Sequence, residues 1–311
     1  MTFNKVLVLG DTIIDVNTYT SKLGISSETP TLVGRYDNSG YSFGGAALVY
    51  RNLTELNSNC SFITAIGNDE EGLKLKDYLN INKCQFIHSK KESIVKHRFW
   101  IDDYKVFQFD KVDNTEISES SSDEVLSKLR KIIPNHDCII LSDYRHGFFS
   151  KYLISQIIPT IRKCNSEIPI YLDSQVSQRP PNHHKYAGVD KMFLNKNEQD
   201  LLIKKLEIKE AWEIVNKLDL RSIILKDGAN EAKEISHKEE INSIPPKNIK
   251  VVDTCGAGDS FIASYSALNG ANQEKLDFAT QWSAANVGIK GPNPCTLEYY
   301  NKVYGIRNSK R

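Results

Sequence analysis

The sequence predicts an α/β protein with a largely parallel central sheet, and three observations carry that expectation. Short apolar runs rich in branched residues recur along the chain, stretches of helical periodicity separate them, and capping or turn residues stand at the joins. Residues 6–9 read as the first buried strand, and residues 138–141, 168–172, 192–194 and 223–225 read as further strands. Between them, Val125, Leu129, Ile132 and Ile133 fall on one helical face that Pro134 ends. Ser150 is placed to cap a helix carrying Leu153, Ile154, Ile157, Ile158 and Ile161. The polar residues 118–123 read as a solvated loop before a helix, and no internal repeat is visible.

Two stretches break this alternation, residues 12–42 and 94–112. Residues 94–101 and 106–109 are rich in aromatic and branched side chains and flank the turn-like Asp102, Asp103 and Tyr104, which predicts a hairpin. Residues 31–36 predict another strand, so a small second β-sheet is expected.

Length and composition agree with a soluble enzyme, and the hydrophobic fraction allows a proper core. The 311 residues suffice for one large α/β domain with a small appendage, and a formal charge of +1 gives no reason to expect a nucleic-acid surface. No apolar run approaches the roughly 20 residues that span a bilayer, and the first strand begins too early for a signal peptide, so a cytoplasmic protein without membrane contact is expected. The six cysteines are scattered without a C-x-x-C pair, which argues against a zinc site or a disulfide framework.

The stretch Val252 to Phe261, V-D-T-C-G-A-G-D-S-F, joins a small-residue turn to a carboxylate where a helix begins. Gly256 and Gly258 let the backbone approach a ligand closely, and N–H groups at a helix start can hold a phosphate or the charge that develops during its transfer. Asp259, beside that pocket, is placed to take a proton from an attacking hydroxyl. A plain glycine turn with an acidic residue complementing the helix dipole would use the same residues, and the longer string decides between the two.

D-T-x-G-A-G-D-S/T-F resembles the C-terminal signature of the PfkB, or ribokinase-like, carbohydrate kinases, with Cys255 at the variable position. The resemblance implies a ribokinase-like three-layer sandwich over residues 1–311, with residues 12–42 and 94–112 as a β-sheet lid over the sugar, shared across a homodimer. It implies ATP and Mg²⁺, Asp259 as catalytic base, and the backbone of Gly256, Ala257 and Gly258 as the anion hole. Motifs elsewhere narrow the family. Gly10 to Asp15, Ile25 to Pro30 around Glu28, Gly44 to Ala47, and Asn52 with Leu53 follow the order G-D-x-x-x-D, I-S-P-E-x-P, G-G-A-A-N, N-L. Lys96 to Arg98 resembles K-x-R, Leu141 to Gly147 resembles L-S-D-Y-x-x-G, and Asn195 to Glu198 resembles N-x-x-E. Together these look like the kinase portion of the ADP-heptose synthases, which phosphorylate D-glycero-D-manno-heptose 7-phosphate at C1.

The site residues follow from these matches and from their chemistry. Asp11 ends an apolar strand, where α/β proteins place ligands, and with Asp15 it can accept bonds from sugar hydroxyls, although a turn or cap role is open to both. Gly44 and Gly45 let main chain sit against a sugar, and Glu28, Asn52 and Asp143 join the substrate set through their motifs. Lys96 and Arg98 alternate along a strand and so share a face, which suits a substrate phosphate. By resemblance, Asn195 and Glu198 hold Mg²⁺, while Lys226, Gly228, Asp253 and Asn286 stand beside the nucleotide. A helix cap with an acidic first turn would explain Asn195 and Glu198 equally well. The departures fall on the sugar side. Leu48 replaces the Asn of G-G-A-A-N, Gln108 stands where relatives carry Arg, His146 replaces a Lys, and Ser174 with Gln175 replaces Pro-Lys. Loss of several polar groups alters sugar recognition, so a kinase for another sugar, sugar phosphate or nucleoside stays open, as does a silent sugar-binding protein.

Overall fold

The computed structural model describes residues 2–102, 104–176 and 179–305. In chain order its elements begin with β1 (Val6–Gly10), β2 (Thr12–Ile25), β3 (Leu32–Gly45), α1 (Ala46–Glu55), β4 (Cys60–Ile66), α2 (Glu70–Ile81) and β5 (Gln85–His88). There follow β6 (Ile94–Ile101), β7 (Tyr104–Lys111), α3 (Glu119–Ile132), β8 (Cys138–Asp143), α4 (Lys151–Cys164), β9 (Ile170–Ser174), β10 (Lys191–Asn195) and α5 (Lys196–Leu206). The chain continues through α6 (Trp212–Lys217), β11 (Ser222–Lys226), β12 (Ala232–Ser236), β13 (Glu240–Ser243), α7 (Ala257–Ala267), α8 (Asn272–Asn286) and α9 (Leu297–Val303).

Strands pair into a nine-stranded sheet in the order β13-β12-β11-β10-β9-β8-β1-β4-β5, and a separate four-stranded sheet in the order β3-β2-β6-β7. In the large sheet every pair from β11 to β5 is parallel, and β12 and β13 add antiparallel strands at one edge. The alternation of side chains across a strand explains the layers. Along β1, Val6 and Val8 enter a core with α1, α7 and α8, whereas Leu7 and Leu9 enter the opposite core with α3, α4, α5 and α6. Helices thus cover both faces of the sheet, and the fold is the ribokinase-like α/β sandwich that the sequence implied.

Helix signals were legible with one exception. Ser150 caps α4 by accepting the Leu153 N–H at 3.1 Å. Residues 118–123 are not a loop: Ser118 accepts the Ser121 N–H at 3.1 Å and α3 starts at Glu119. Ser122 is buried, and its hydroxyl lies 3.0 Å from that of Ser150, so local polarity concealed a packed helix start. In the small sheet, β3 runs well past the strand expected at residues 31–36, and Tyr104 belongs to β7 rather than to the hairpin turn. Asp103 of that turn lies outside the described residues.

The order of strands reverses at β1, with β4 on one side and β8 on the other. Open α/β sheets bind ligands beyond the carboxyl ends of strands at such a switch point. Asp11 follows β1, and β8, β9, β10 and β11 end near Asp143, Asp173, Asn195 and Lys226.

Candidate active site

The residues expected to carry phosphoryl transfer gather around the start of α7. The first N–H groups of a helix lack intrahelical acceptors, and α7 begins at Ala257 directly after a left-handed Gly256, φ 84°. A Cβ on Gly256 would come within 2.5 Å of Leu48 Cδ2, so both its conformation and its packing require glycine. At Gly258 a Cβ would stand 3.4 Å from Lys226 Nζ, which places that ammonium against the turn. Lys226 also lies 3.2 and 3.3 Å from the two carboxylate oxygens of Asp173. Burial works against its charge, but Asp173 and then Glu198 outweigh burial and hold the ammonium above its usual range.

Asp259 sits in the first turn of α7, 5% exposed. Burial pushes its carboxyl up to about 7; a hydrogen bond from Tyr144 and the charge of Lys226 work in the opposite direction, and Asp173 adds to the rise. Such a value suits a general base near neutral pH. Asp253 braces the turn, accepting the Cys255 N–H at 2.9 Å and the Gly291 N–H at 3.0 Å. Gly228, at φ 53°, has open space where a Cβ would stand, in a turn closed by the Asp227 N–H to Glu231 O bond of 2.9 Å.

Asn195 and Glu198 form a capping box at the head of α5: Asn195 Oδ1 accepts the Glu198 N–H at 2.9 Å, and Glu198 Oε2 accepts the Asn195 N–H at 2.8 Å. The structure thus forms the cap reading of this motif, and the backbone of Val176 also bonds the Glu198 carboxylate. Burial pushes Glu198 up to about 7, with Lys226 opposing. Among the described residues no three His, Cys, Asp or Glu side chains converge as a cage. The pair fits a hard cation held chiefly by water and phosphate oxygens, as Mg²⁺ is.

The residues expected at the acceptor end lie where β2, β3 and β6 meet the large sheet. Asp15 and Lys96 are register partners, as are Asn17 and Arg98, so Lys96 and Arg98 do share a face. Arg98, 9% exposed, forms an ion pair with Asp15. A Cβ on Gly44 would come 2.6 Å from Asp15 Oδ2, and one on Gly45, at φ 64°, would come 2.5 Å from Asp11 O. Main chain thus lies directly against both aspartates. Asp11 accepts the N–H groups of Phe148 at 2.9 Å and His146 at 3.2 Å, and so tethers the loop after β8. Lys91, whose ammonium bonds His146 O, stands beside it.

Several residues of the expected set are engaged by the protein itself or stand apart from the rest. Asn52 is 0% exposed; it donates to Leu48 O at 2.9 Å and accepts from the Trp282 indole at 3.1 Å, which makes it a brace between α1 and α8. Asn286 is buried and donates to Asn293 O at 2.9 Å, behind the glycine turn. Asp143 is closed off: Tyr186 at 2.7 Å, Asn182 at 2.8 Å and Ser174 at 3.2 Å donate to Oδ2, and the Arg145 N–H donates to Oδ1 at 2.8 Å. Glu28 is exposed beyond the far end of β2, which carries it about 33 Å along the strand from Asp15. Asp173, Tyr144 and Lys91 are the site residues that sequence reasoning left unassigned. Asp173 had a signal, since it ends a strand that points at the switch point.

The departures have structural consequences. Leu48 fills the space over Gly256. His146 shares a hydrogen bond of 2.8 Å between Nδ1 and Asn114 Oδ1, and burial followed by Lys96, Lys91 and Arg179 pushes its imidazole down to about 4. It is neutral where a lysine would carry charge.

A buried carboxylate at a helix head behind a glycine turn, with a lysine against that turn, has the chemistry that group transfer from an anionic donor requires. Residues 4–298 match the pfkB family carbohydrate kinase, and the chain belongs to that family, whose members are phosphotransferases acting on sugar hydroxyls. Its curated relatives include the bifunctional protein HldE of a Nitratiruptor species, 28% identical over 306 residues, covering 94% of this chain and 63% of the relative. HldE of Sulfurimonas denitrificans is 29% identical over 304 residues, covering 92% and 61%. The chain spans less than two thirds of the length of these relatives. Among solved structures, the tetrameric inhibited form of Escherichia coli phosphofructokinase-2 shares the fold at a TM-score of 0.76, with 17% identity and coverage of 97% and 98%. Ribokinase of Thermotoga maritima does so at 0.73, with 18% identity and coverage of 97% and 100%.

Proposed function

We propose that this kinase transfers the γ-phosphoryl group of ATP to the C1 hydroxyl of D-glycero-D-manno-heptose 7-phosphate, giving the 1,7-bisphosphate. The observation that carries the chemistry is Asp259, buried at the head of α7 beside the Gly256 to Gly258 turn and Lys226. The heptose rests on the motifs shared with the ADP-heptose synthases and on the HldE relatives.

In this reading the sugar lies between the inner face of the small sheet and the loop after β8, with Asp11, Asp15, Gly44 and Gly45 around its hydroxyls. Asp259 accepts the proton of the attacking hydroxyl. As that O–H bond breaks and an O–H bond forms on the carboxylate, the sugar oxygen's electron pair attacks the γ-phosphorus, and ADP leaves with the electrons of the broken P–O bond. The backbone N–H of Gly258, with Lys226, stabilises the charge on the transferring group, while the Ala257 N–H is held by Thr254 O at 3.2 Å. Asn195 and Glu198 would hold Mg²⁺ through its waters, and the ion would screen phosphate charge. Gly228 borders the nucleotide.

The small sheet acts as a lid, which keeps water from the transferring phosphoryl group. Its strands expose Leu23, Ile25, Leu32, Val33, Tyr36 and Phe107, apolar surface suited to a second copy of the chain in a homodimer. A partner lid would bring Glu28 to a site that its own chain does not let it reach. Among the described residues no helix is long and apolar enough to cross a membrane.

A second reading follows from the acceptor end. Arg98 is paired with Asp15, His146 is neutral and Leu48 offers no hydrogen bond, a combination that favours a sugar other than the heptose. An ADP-release screen over heptose 7-phosphate, hexose phosphates and free sugars, with and without chelator, separates the readings. The first expects the highest kcat/KM on heptose 7-phosphate and no turnover in excess chelator. A higher value on another sugar transfers the assignment to that sugar, and turnover in chelator removes Mg²⁺ from the reaction.

A further inference from the structure

Tyr144 stands in the loop after β8, and its phenol donates toward both carboxylate oxygens of Asp259, at 2.6 Å to Oδ1 and 2.7 Å to Oδ2. The loop is braced on either side of it. Before Tyr144, Asp143 is held by Tyr186, Asn182 and Ser174; after it, the N–H groups of His146 and Phe148 are held by Asp11. A phenol on a backbone fixed at both ends is a fixed donor, and a fixed donor sets the orientation of the carboxylate it bridges.

We propose that Tyr144 is the positioning residue of the base: its phenol fixes the orientation of the Asp259 carboxylate and favours the ionised form that accepts the sugar proton. The proposal rests on Asp259 as the base. Hydrogen bonding to the charged form of an acid favours that form, and burial favours the neutral one. The charged and titratable groups around Asp259 divide in the same way. Asp173 of β9 and Cys255 of the turn give it no positive charge, Lys226 of β11 does, and Tyr144 adds the bridging hydrogen bond. The phenol itself stays a donor, because burial and the adjacent carboxylate push its ionisation well above the usual range. When the acceptor hydroxyl arrives at one carboxylate oxygen, the phenol retains the other, so the carboxylate does not rotate away from the proton it receives.

The test is the pH dependence of kcat/KM, whose acid limb reports the base in the free enzyme. Tyr144→Phe keeps the ring and removes the donor. Its acid limb is expected to move up by about one pH unit, so activity falls on the order of tenfold at pH 6 and returns close to that of the unchanged protein at pH 9. Monofluorotyrosine placed at position 144 is a stronger donor and is expected to move the limb down, which keeps the test available should the Phe variant fold poorly. Infrared titration follows the same group without turnover: the protonated carboxyl band lost in Asp259→Asn belongs to Asp259, and its midpoint is expected to rise in Tyr144→Phe. An unmoved midpoint, or a loss of activity equal at every pH, overturns the proposal. Turnover retained by Asp259→Asn overturns the assignment of the base itself, and the infrared midpoint still decides whether Tyr144 governs that carboxylate.

Discussion

At the phosphoryl-transfer end, groups of both charges stand at the ends of neighbouring parallel strands: Lys226 against Asp173, Glu198 at the head of the next helix, and Asp259 beneath Tyr144. At the acceptor end, the corresponding charges face each other across two strands of the small sheet, and Arg98 closes onto Asp15. The difference lies in what is left for a ligand. The first region keeps a glycine turn at a helix head and the buried carboxylate of Asp259. The second binds much of its own charge internally and presents Lys96, main chain at Gly44 and Gly45, and a neutral His146. Chemistry can therefore persist in this family while acceptor recognition changes, because the two ends draw on different elements of the fold.

Substitution of the base should separate the regions most sharply. Asp259→Asn is expected to reduce kcat by roughly 10² to 10⁴-fold or more while ATP affinity, read by calorimetry, stays near that of the unchanged protein. Near-normal turnover would mean that proton transfer lies elsewhere.

Arg98 probes whether the acceptor end is held by its own pair. Arg98→Ala leaves Asp15 buried without its partner and is expected to cost about 3 to 5 kcal/mol of stability, measured by denaturant unfolding. Lys96→Ala, at a half-buried position on the same strand, is expected to leave stability nearly unchanged. Equal effects on stability would contradict the division between a structural arginine and an available lysine.

For Lys96 the expected change is in recognition: Lys96→Ala raises KM for a sugar phosphate about tenfold and hardly alters KM for the plain sugar, since a charge-assisted bond to phosphate is lost. An equal rise on both substrates places the phosphate away from Lys96. The smallest effect is expected from His146→Lys, which restores a cation where the imidazole is neutral. Lowering of KM for a sugar phosphate by about threefold would fit the weak field of one added, partly screened charge. No change, measured in low salt, would remove position 146 from substrate binding.

The sequence by itself determined the alternating strand and helix pattern, the second sheet and the glycine turn that heads α7, because each depends on residues adjacent in the chain. Val6 to Leu9 must be buried on both faces whatever surrounds it, and Gly256 and Gly258 with Asp259 form one helix head by local geometry alone. Tertiary structure decided the partners. Nothing local tells that Arg98 closes on Asp15, that Asn52 braces Trp282, that Tyr144 bridges Asp259, or that β2 carries Glu28 away from the other site residues. Those contacts join residues far apart in the chain, and they exist only once the sheets have packed. A hydrogen bond or ion pair depends on distances of a few ångströms, which periodicity and motif spacing do not specify between separate elements.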